Sequence, residues 1–237
     1  MYSISVKNLT KKFYKQIVIK KATFNVKSNS IVGVLGKNGA GKTTLLGMLM
    51  GLITPTDGSV FIFGKNLKKK KNEILNDINF QSPYVELPKK MSVEQNLFFY
   101  SRLYSLKNIK KIVYELAEKL RIHNLLKKSY GELSAGQKTK VNLCKALLNK
   151  PKLLLLDEPT ASLDPETSIF IRNFLMEFKK ENKSSILITS HNLDEIKNMC
   201  SELILLKSGE IVNKGNIHKL LKENNSGSIM DFFLKRG

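Results

Sequence analysis

Gly36-Lys37-Asn38-Gly39-Ala40-Gly41-Lys42-Thr43-Thr44 has the form G-x-x-x-x-G-K-[ST] of a phosphate-binding loop. The apolar run Ile31 to Leu35 precedes it, with the length and β-branching of a buried strand. The Pro-free run Leu45 to Met50 follows and suits a helix beginning near Lys42. The motif requires such a strand-to-helix junction. Glycines at 36, 39 and 41 let the backbone turn its N–H groups inward around a polyphosphate. The helix adds the positive end of its dipole. In such a loop Lys42 reaches the β- and γ-phosphates, and the Thr43 hydroxyl ligates Mg²⁺.

Outward along the chain, Leu153 to Leu156 is a continuous apolar run ending in Asp157-Glu158-Pro159. Four leucines fit a strand buried on both faces of a parallel sheet, and ligands of such sheets bind at the carboxyl ends of the strands. Two carboxylates there are costly without a cation, so Asp157 is expected to hold Mg²⁺ and Glu158 to orient or deprotonate the attacking water. Ser185 to Thr189 reads as another core strand, which delivers His191 to the same edge, where an imidazole can hydrogen-bond a γ-phosphate. Gln81, ending the strand-like Ile78-Asn79-Phe80, is either an Mg²⁺ or water ligand or an ordinary loop amide. Phe13-Tyr14 offers an aromatic to stack on adenine, or else a core aromatic at a strand end.

Residues 2–28 alternate like an antiparallel sheet, in strands Ser3 to Val6, Ile17 to Ile19 and Ala22 to Val26. Ser59 to Phe63 is a short strand, and Lys68 to Lys71 a solvated loop. From Ser92 to about Lys150 the period becomes helical (Val93, Leu97, Tyr100; Ile112, Leu116, Leu120), so a helical insert interrupts an α/β chain. A helix is expected from Pro165 to Lys180, a hairpin across Ser208-Gly209, then a basic helix, a break at Ser226-Gly227 and an apolar end, Ile229 to Leu234.

With 237 residues, 42% of them hydrophobic, the chain suffices for one α/β domain with a sizeable core. No apolar stretch approaches 18 residues and no signal peptide is visible, so a cytoplasmic protein is expected. Cys144 and Cys200 lack metal-ligand spacing and read as buried thiols. The net charge of +20 admits a solvated surface, an anionic membrane or a nucleic acid as its meaning. Only four arginines occur (Arg102, Arg121, Arg172, Arg236), and their planar fork is what nucleic-acid readers favour, so no nucleic-acid partner is expected.

Taken in order, these landmarks resemble the nucleotide-binding subunits of ATP-binding cassette (ABC) transporters over nearly the whole chain. Gly36 to Thr44 matches Walker A, Gln81 the Q-loop, Leu153 to Glu158 Walker B, and His191 the switch histidine. Phe13, or its neighbour Tyr14, matches the adenine-stacking aromatic, and Ser162-Leu163-Asp164 the D-loop. Leu133-Ser134-Ala135-Gly136-Gln137 is similar to the family signature LSGGQ, with Ala135 replacing its first glycine. That methyl matters only where φ is positive or a phosphate makes contact. The resemblance implies a P-loop NTPase fold: a RecA-like, mostly parallel α/β core, an N-terminal antiparallel β lobe, and a helical subdomain inserted between the Q-loop and Walker B. One domain over 1–237 is expected, with the core and β lobe at about 1–80 and 151–225, the helical subdomain at about 82–150 and a tail at about 226–237.

The same resemblance implies an ATPase that binds ATP and Mg²⁺, drives transport through a separate membrane permease, and lies peripherally on the inner face of the cell membrane. It implies a head-to-tail homodimer, or a pair with a paralogous ATPase. In that pair the partner's signature loop (Ser134, Ala135, Gly136, Gln137), with Asp164 nearby, meets nucleotide held by Gly36, Asn38, Gly39, Ala40, Gly41, Lys42, Thr43 and Thr44. Met91 to Leu97 and Asp231-Phe232-Phe233-Leu234 look like two-component exporters. Ser82 to Leu106 is the candidate permease-docking face, with Tyr84, Val85 and Leu87 expected to stay partly exposed. The alternative is a soluble ABC ATPase acting on nucleic acid, ribosomes or cofactor assembly. Only about 90 residues separate Walker A from the signature, too few for a coiled-coil insertion, and the chain has one cassette rather than two.

Overall fold

The structure, a computed structural model, describes residues 1–161 and 163–223. Strands β1 (Tyr2–Phe13) and β2 (Gln16–Lys27) form a long hairpin, and β3 (Ile31–Leu35) leads into helix α1 (Lys42–Leu49). Strands β4 (Asp57–Ile62) and β5 (Lys65–Asn66), helix α2 (Lys71–Leu75) and strand β6 (Ile78–Gln81) follow. Then come helices α3 (Val93–Leu103), α4 (Ile109–Lys119) and α5 (Ala135–Leu147). The chain continues through β7 (Leu153–Asp157), α6 (Pro165–Asn182), β8 (Ser185–Ser190), α7 (Leu193–Met199), β9 (Glu202–Lys207), β10 (Glu210–Asn216) and α8 (Ile217–Glu223).

Two sheets result. The order β2-β1-β4-β5 is antiparallel; in the order β10-β9-β3-β8-β7-β6 every pair is parallel except β10 with β9. The fold is that of a P-loop NTPase: a mainly parallel α/β sheet beside an antiparallel one, with helices. Period-two alternation on the central strands divides the core into two layers. Leu154, Leu156, Ile186, Ile188, Leu203 and Leu205 pack with the helices of residues 93–147. Leu153, Leu155, Leu187, Ile204 and Leu206 face α1 and the antiparallel sheet. Each fully buried leucine removes apolar surface worth about 2 kcal/mol from water, which is why β7 tolerates no polar residue before its last position. The sheet thus carries its functional side chains only at the carboxyl edge.

Three expectations change. The N-terminal strands are longer than the apolar alternation indicates, because cross-strand pairing runs through lysine-rich stretches as far as Phe13↔Gln16. Lys71 belongs to helix α2 rather than to a loop; Ile74, 1% exposed, anchors that short helix on the core. Leu87 is buried at 2% exposure, packed in the layer shared with the helices, so it is no part of an exposed face. Tyr84 and Val85 are exposed as expected. Ala135 opens α5 in helical conformation, so its methyl meets no backbone strain. Cys144 and Cys200 are both buried, and burial pushes their thiols up, away from the reactive thiolate. Ser162, the Ser226-Gly227 break, Ile229 to Leu234 and Asp231-Phe232-Phe233-Leu234 lie outside the described residues. Among the described residues, no helix is long and apolar enough to cross a membrane.

Candidate nucleotide site

Residues 36–41 leave β3 and turn directly into α1, and their geometry depends on having no side chain at particular points. Gly41 has φ 104°, and a Cβ there would lie 2.7 Å from Ile19 Cδ1 and 2.9 Å from the Val18 carbonyl. Gly39 has φ 80°, but its missing Cβ would meet open space. The loop is therefore pressed against β2 on one side and open on the other. The β9–β10 turn supports it from behind: the Gly209 N–H donates to the Ala40 carbonyl (3.1 Å) and the Lys20 N–H to the Gly209 carbonyl (2.8 Å). A Cβ on Gly209, φ 82°, would fall 2.3 Å from the Val18 carbonyl.

Lys42 is 6% exposed. Its Nζ donates to the carbonyls of Gly36 (2.8 Å) and Lys37 (3.3 Å) and pairs with Glu158 Oε1 at 3.3 Å. Asp157, buried at the end of β7, is satisfied by hydroxyls: Thr43 (3.0 Å) and Ser82 (3.3 Å) donate to Oδ2, and Thr189 (2.6 Å) donates to Oδ1. Buried carboxylates require such partners. Glu158 sits at φ 50°, a left-handed conformation that costs about 1 kcal/mol for a residue with a Cβ. Its N–H donates back to the Thr189 carbonyl at 3.1 Å, which holds the turn, and its Oε2 meets His191 Nδ1. One carboxylate thus lies between an ammonium and an imidazole at the mouth of an open cleft of about 680 Å³.

Asn38, Gly39, Gly41, Lys42, Thr43, Thr44, Asp157, Glu158 and His191 line this cleft, joined by Val18, Pro83, Tyr84 and Ala161. Gly36 and Ala40 belong to the loop's inner wall: a Cβ on Gly36 would strike the Leu206 carbonyl at 2.6 Å, and Ala40 is buried. Gln81 ends β6 in register with Leu156, one residue before Asp157. Both atoms of its amide are buried without a hydrogen-bond partner, a cost of about 1–3 kcal/mol per group. Gln81 does not line the cleft, whereas the Thr43 hydroxyl and the Asp157 carboxylate, in contact there, form a hard oxygen pair suited to Mg²⁺, which takes one or two carboxylates together with phosphate oxygens. The open side of Gly39 leaves room for phosphate. The residues fit Mg²⁺–ATP.

Other candidates lie elsewhere. Phe13 ends β1 with Lys11 Nζ 4.6 Å from its ring centroid, and Tyr14, φ 50°, is fully exposed in the following turn; neither lines the cleft. Ser134 caps α5 reciprocally with Gln137, its Oγ accepting from the Gln137 N–H (3.3 Å) and Gln137 Oε1 accepting from the Ser134 N–H (3.1 Å). Asp164 caps α6 through the Thr167 N–H at 2.8 Å, which holds its carboxyl below the usual range. None of Ser134, Ala135, Gly136, Gln137 and Asp164 lines the cleft of its own chain. Sequence reasoning missed Ser82 and Thr189, the other two donors to Asp157.

A family profile described as "ABC transporter" matches residues 19–161. The chain is 35% identical over 224 residues to the bacitracin transport ATP-binding protein BcrA of Bacillus licheniformis, covering 93% of this chain and 72% of that one. It is 30% identical to the ABC transporter ATP-binding protein NatA of Bacillus subtilis over 221 residues, 92% of this chain and 89% of the relative. Among solved structures, cbiO1 from Clostridium perfringens, described as part of the ABC transporter complex cbiONQ, superposes with a TM-score of 0.82 at 30% identity. That alignment covers 94% of this chain and 92% of the other.

Proposed function

The chain belongs to the ABC transporter family as an ATP-driven ATPase subunit, and from that premise we propose the roles of its residues, its assembly and the direction of its work. The observation that carries the reading is the placement of Glu158 between Lys42 and His191. In this arrangement the carboxylate occupies an anion's place on the lysine. A phosphate displaces it, and Glu158 Oε1 is then free to take a proton from the attacking water.

When bound, Mg²⁺–ATP supplies the electrophilic phosphorus and the charge neutralisation on which phosphoryl transfer depends. The remaining work falls to the chain. Thr43, Asp157 and the unsatisfied Gln81 amide would hold the metal, directly or through water. Lys42, fixed by two loop carbonyls, keeps an N–H for a phosphate oxygen. His191, in direct contact with Glu158 Oε2, orients the carboxylate. Phe13 or Tyr14, both outside the cleft lining, would stack on an adenine that extends beyond it.

Ser134 and the N–H groups at the start of α5 serve a second copy, or a paralogous ATPase, capping its nucleotide in a head-to-tail pair. Support comes from their absence from the lining of their own cleft, which leaves the capped start of α5 open to a phosphate brought by another chain. The subunit is peripheral to the membrane and docks on a separate permease through exposed Tyr84 and Val85. The Asn142 amide fixes that segment by donating to the Val85 carbonyl at 3.1 Å. The helical subdomain, about 82–150, transmits closure from Gln81 to that surface. Export is the direction favoured, as a relative 30% identical over 98% of this chain is named a Nod factor export ATP-binding protein. The test is Glu158→Gln: ATP binding is retained, turnover is nearly abolished and a dimer accumulates. Undiminished hydrolysis by that variant would remove Glu158 from the role of base.

A further inference from the structure

Glu195 is 2% exposed, on α7, and takes no part in the chemistry described above. Its Oε1 accepts a hydrogen bond from Thr160 Oγ1 at 2.7 Å, a buried contact spanning 35 residues. Thr160 stands two residues after Glu158. On the other side, the Glu195 N–H donates to Asn192 Oδ1 at 3.3 Å, and the Asn192 N–H donates to Ser190 Oγ at 2.9 Å. These contacts join the turn carrying Glu158 to the turn carrying His191 behind the point where the two side chains meet.

We propose that Glu195 is a positioning residue for hydrolysis, a buried strap that fixes the Glu158 turn to the His191 turn through Thr160. The inference rests on the reading of Glu158 and His191 given above. The case is geometric. His191 is exposed, so its place beside Glu158 depends on contacts behind its turn, and the contact of Glu195 with Thr160 is one that ties that turn to the Glu158 turn. Its environment suits a strap better than a reactive acid. Burial, helped by the nearby Glu158 charge, pushes its pKa up against the hydroxyls of Ser190 and Thr160 and the charge of Arg172, which favour the carboxylate. A hydrogen-bond acceptor is what the contact needs, and a neutral amide supplies one equally well. Misplacing a base and its orienting group by a fraction of an ångström lowers the chemical step without touching the nucleotide contacts at Lys42 and Thr43.

The experiment measures steady-state ATP turnover, equilibrium ATP binding and thermal unfolding of the full-length chain carrying Glu195→Ala, Glu195→Gln or Thr160→Val, with Glu158→Gln in parallel. Glu195→Ala and Thr160→Val are expected to lower kcat by about tenfold or more with ATP affinity changed less than about twofold. Glu195→Gln is expected to restore kcat to within about threefold of the unaltered chain, because its amide oxygen still accepts from Thr160. The strap is overturned by a normal kcat in Glu195→Ala, by a Gln variant as slow as the Ala variant, or by equal losses of affinity and kcat. Should Glu195→Ala fail to fold, Thr160→Val decides, and a normal kcat there overturns the proposal. A slow Glu158→Gln beside a normal Glu195→Ala sinks the strap alone, whereas a normal Glu158→Gln sinks the reading beneath it.

Discussion

The loop around Lys42 and the helix start at Ser134 both present backbone N–H groups to solvent, yet they are held in opposite ways. The first is braced from outside itself: β2 presses on Gly41, the 208–209 turn bonds Ala40, and Glu158 pairs with Lys42. The second is closed on itself by the Ser134–Gln137 box and touches none of the cleft. A site assembled from distant strands is finished within one chain. A helix N-terminus that needs only its own cap to be stable has room for a ligand brought by another molecule. Under the proposed pairing, one chain carries the phosphate loop and its carboxylates while the cap comes from the other.

The heaviest blow to the first region is Glu158→Gln, expected to cut turnover by about 10²- to 10⁴-fold while ATP remains bound. Rapid-quench hydrolysis beside nucleotide titration reads both quantities. Next comes Lys42→Ala, expected to weaken ATP binding by about 2–5 kcal/mol, since it strips a buried cation from a phosphate site. Unchanged affinity by calorimetry would break the assignment of the loop. Mixing separates the regions most sharply. Lys42→Ala chains and Ser134→Glu chains should each be inactive alone, and together recover up to about a quarter of normal turnover, because a twofold pair of unlike variants rebuilds one intact site. No recovery on mixing would mean that the signature helix does not serve a second chain. The smallest effect is Ser134→Ala, which removes a helix cap worth about 1 kcal/mol of stability and leaves ATP affinity of the single chain unaltered. A weakened affinity in that variant would erase the distinction between the two regions.

Legibility followed the same division. Residues whose role follows from local backbone chemistry (Gly39, Gly41, Lys42 and Thr43) could be read directly, because the motif and its fold are one short segment. The four leucines of β7 also announced a strand buried on both faces, and the alternation of the two core layers follows from that. Ser82, Thr189 and Glu195 could not be read this way. Each matters through one side-chain contact to a residue at least 30 positions away, and nothing in the local pattern marks it. Leu87 misled for a related reason. It sits one turn from exposed Tyr84 and Val85 in a segment with no repeating period, so burial there is decided by the helices it meets. The charge-rich ends of β1 and β2 escaped notice because a hairpin pairs through its backbone whatever its side chains.

The tip of the β9–β10 hairpin has a practical side. A short Ser-Gly turn leading into an edge strand is where a protein engineer would instinctively splice an epitope tag or a fluorescent reporter. Here the tip is wedged between Val18 and Ala40, with no space for even one methyl group on Gly209. A graft at that point would be expected to silence nucleotide capture while the rest of the molecule stayed intact. The turn at Gly64, where an added side chain meets nothing within 4 Å, is the safer place to hang a label.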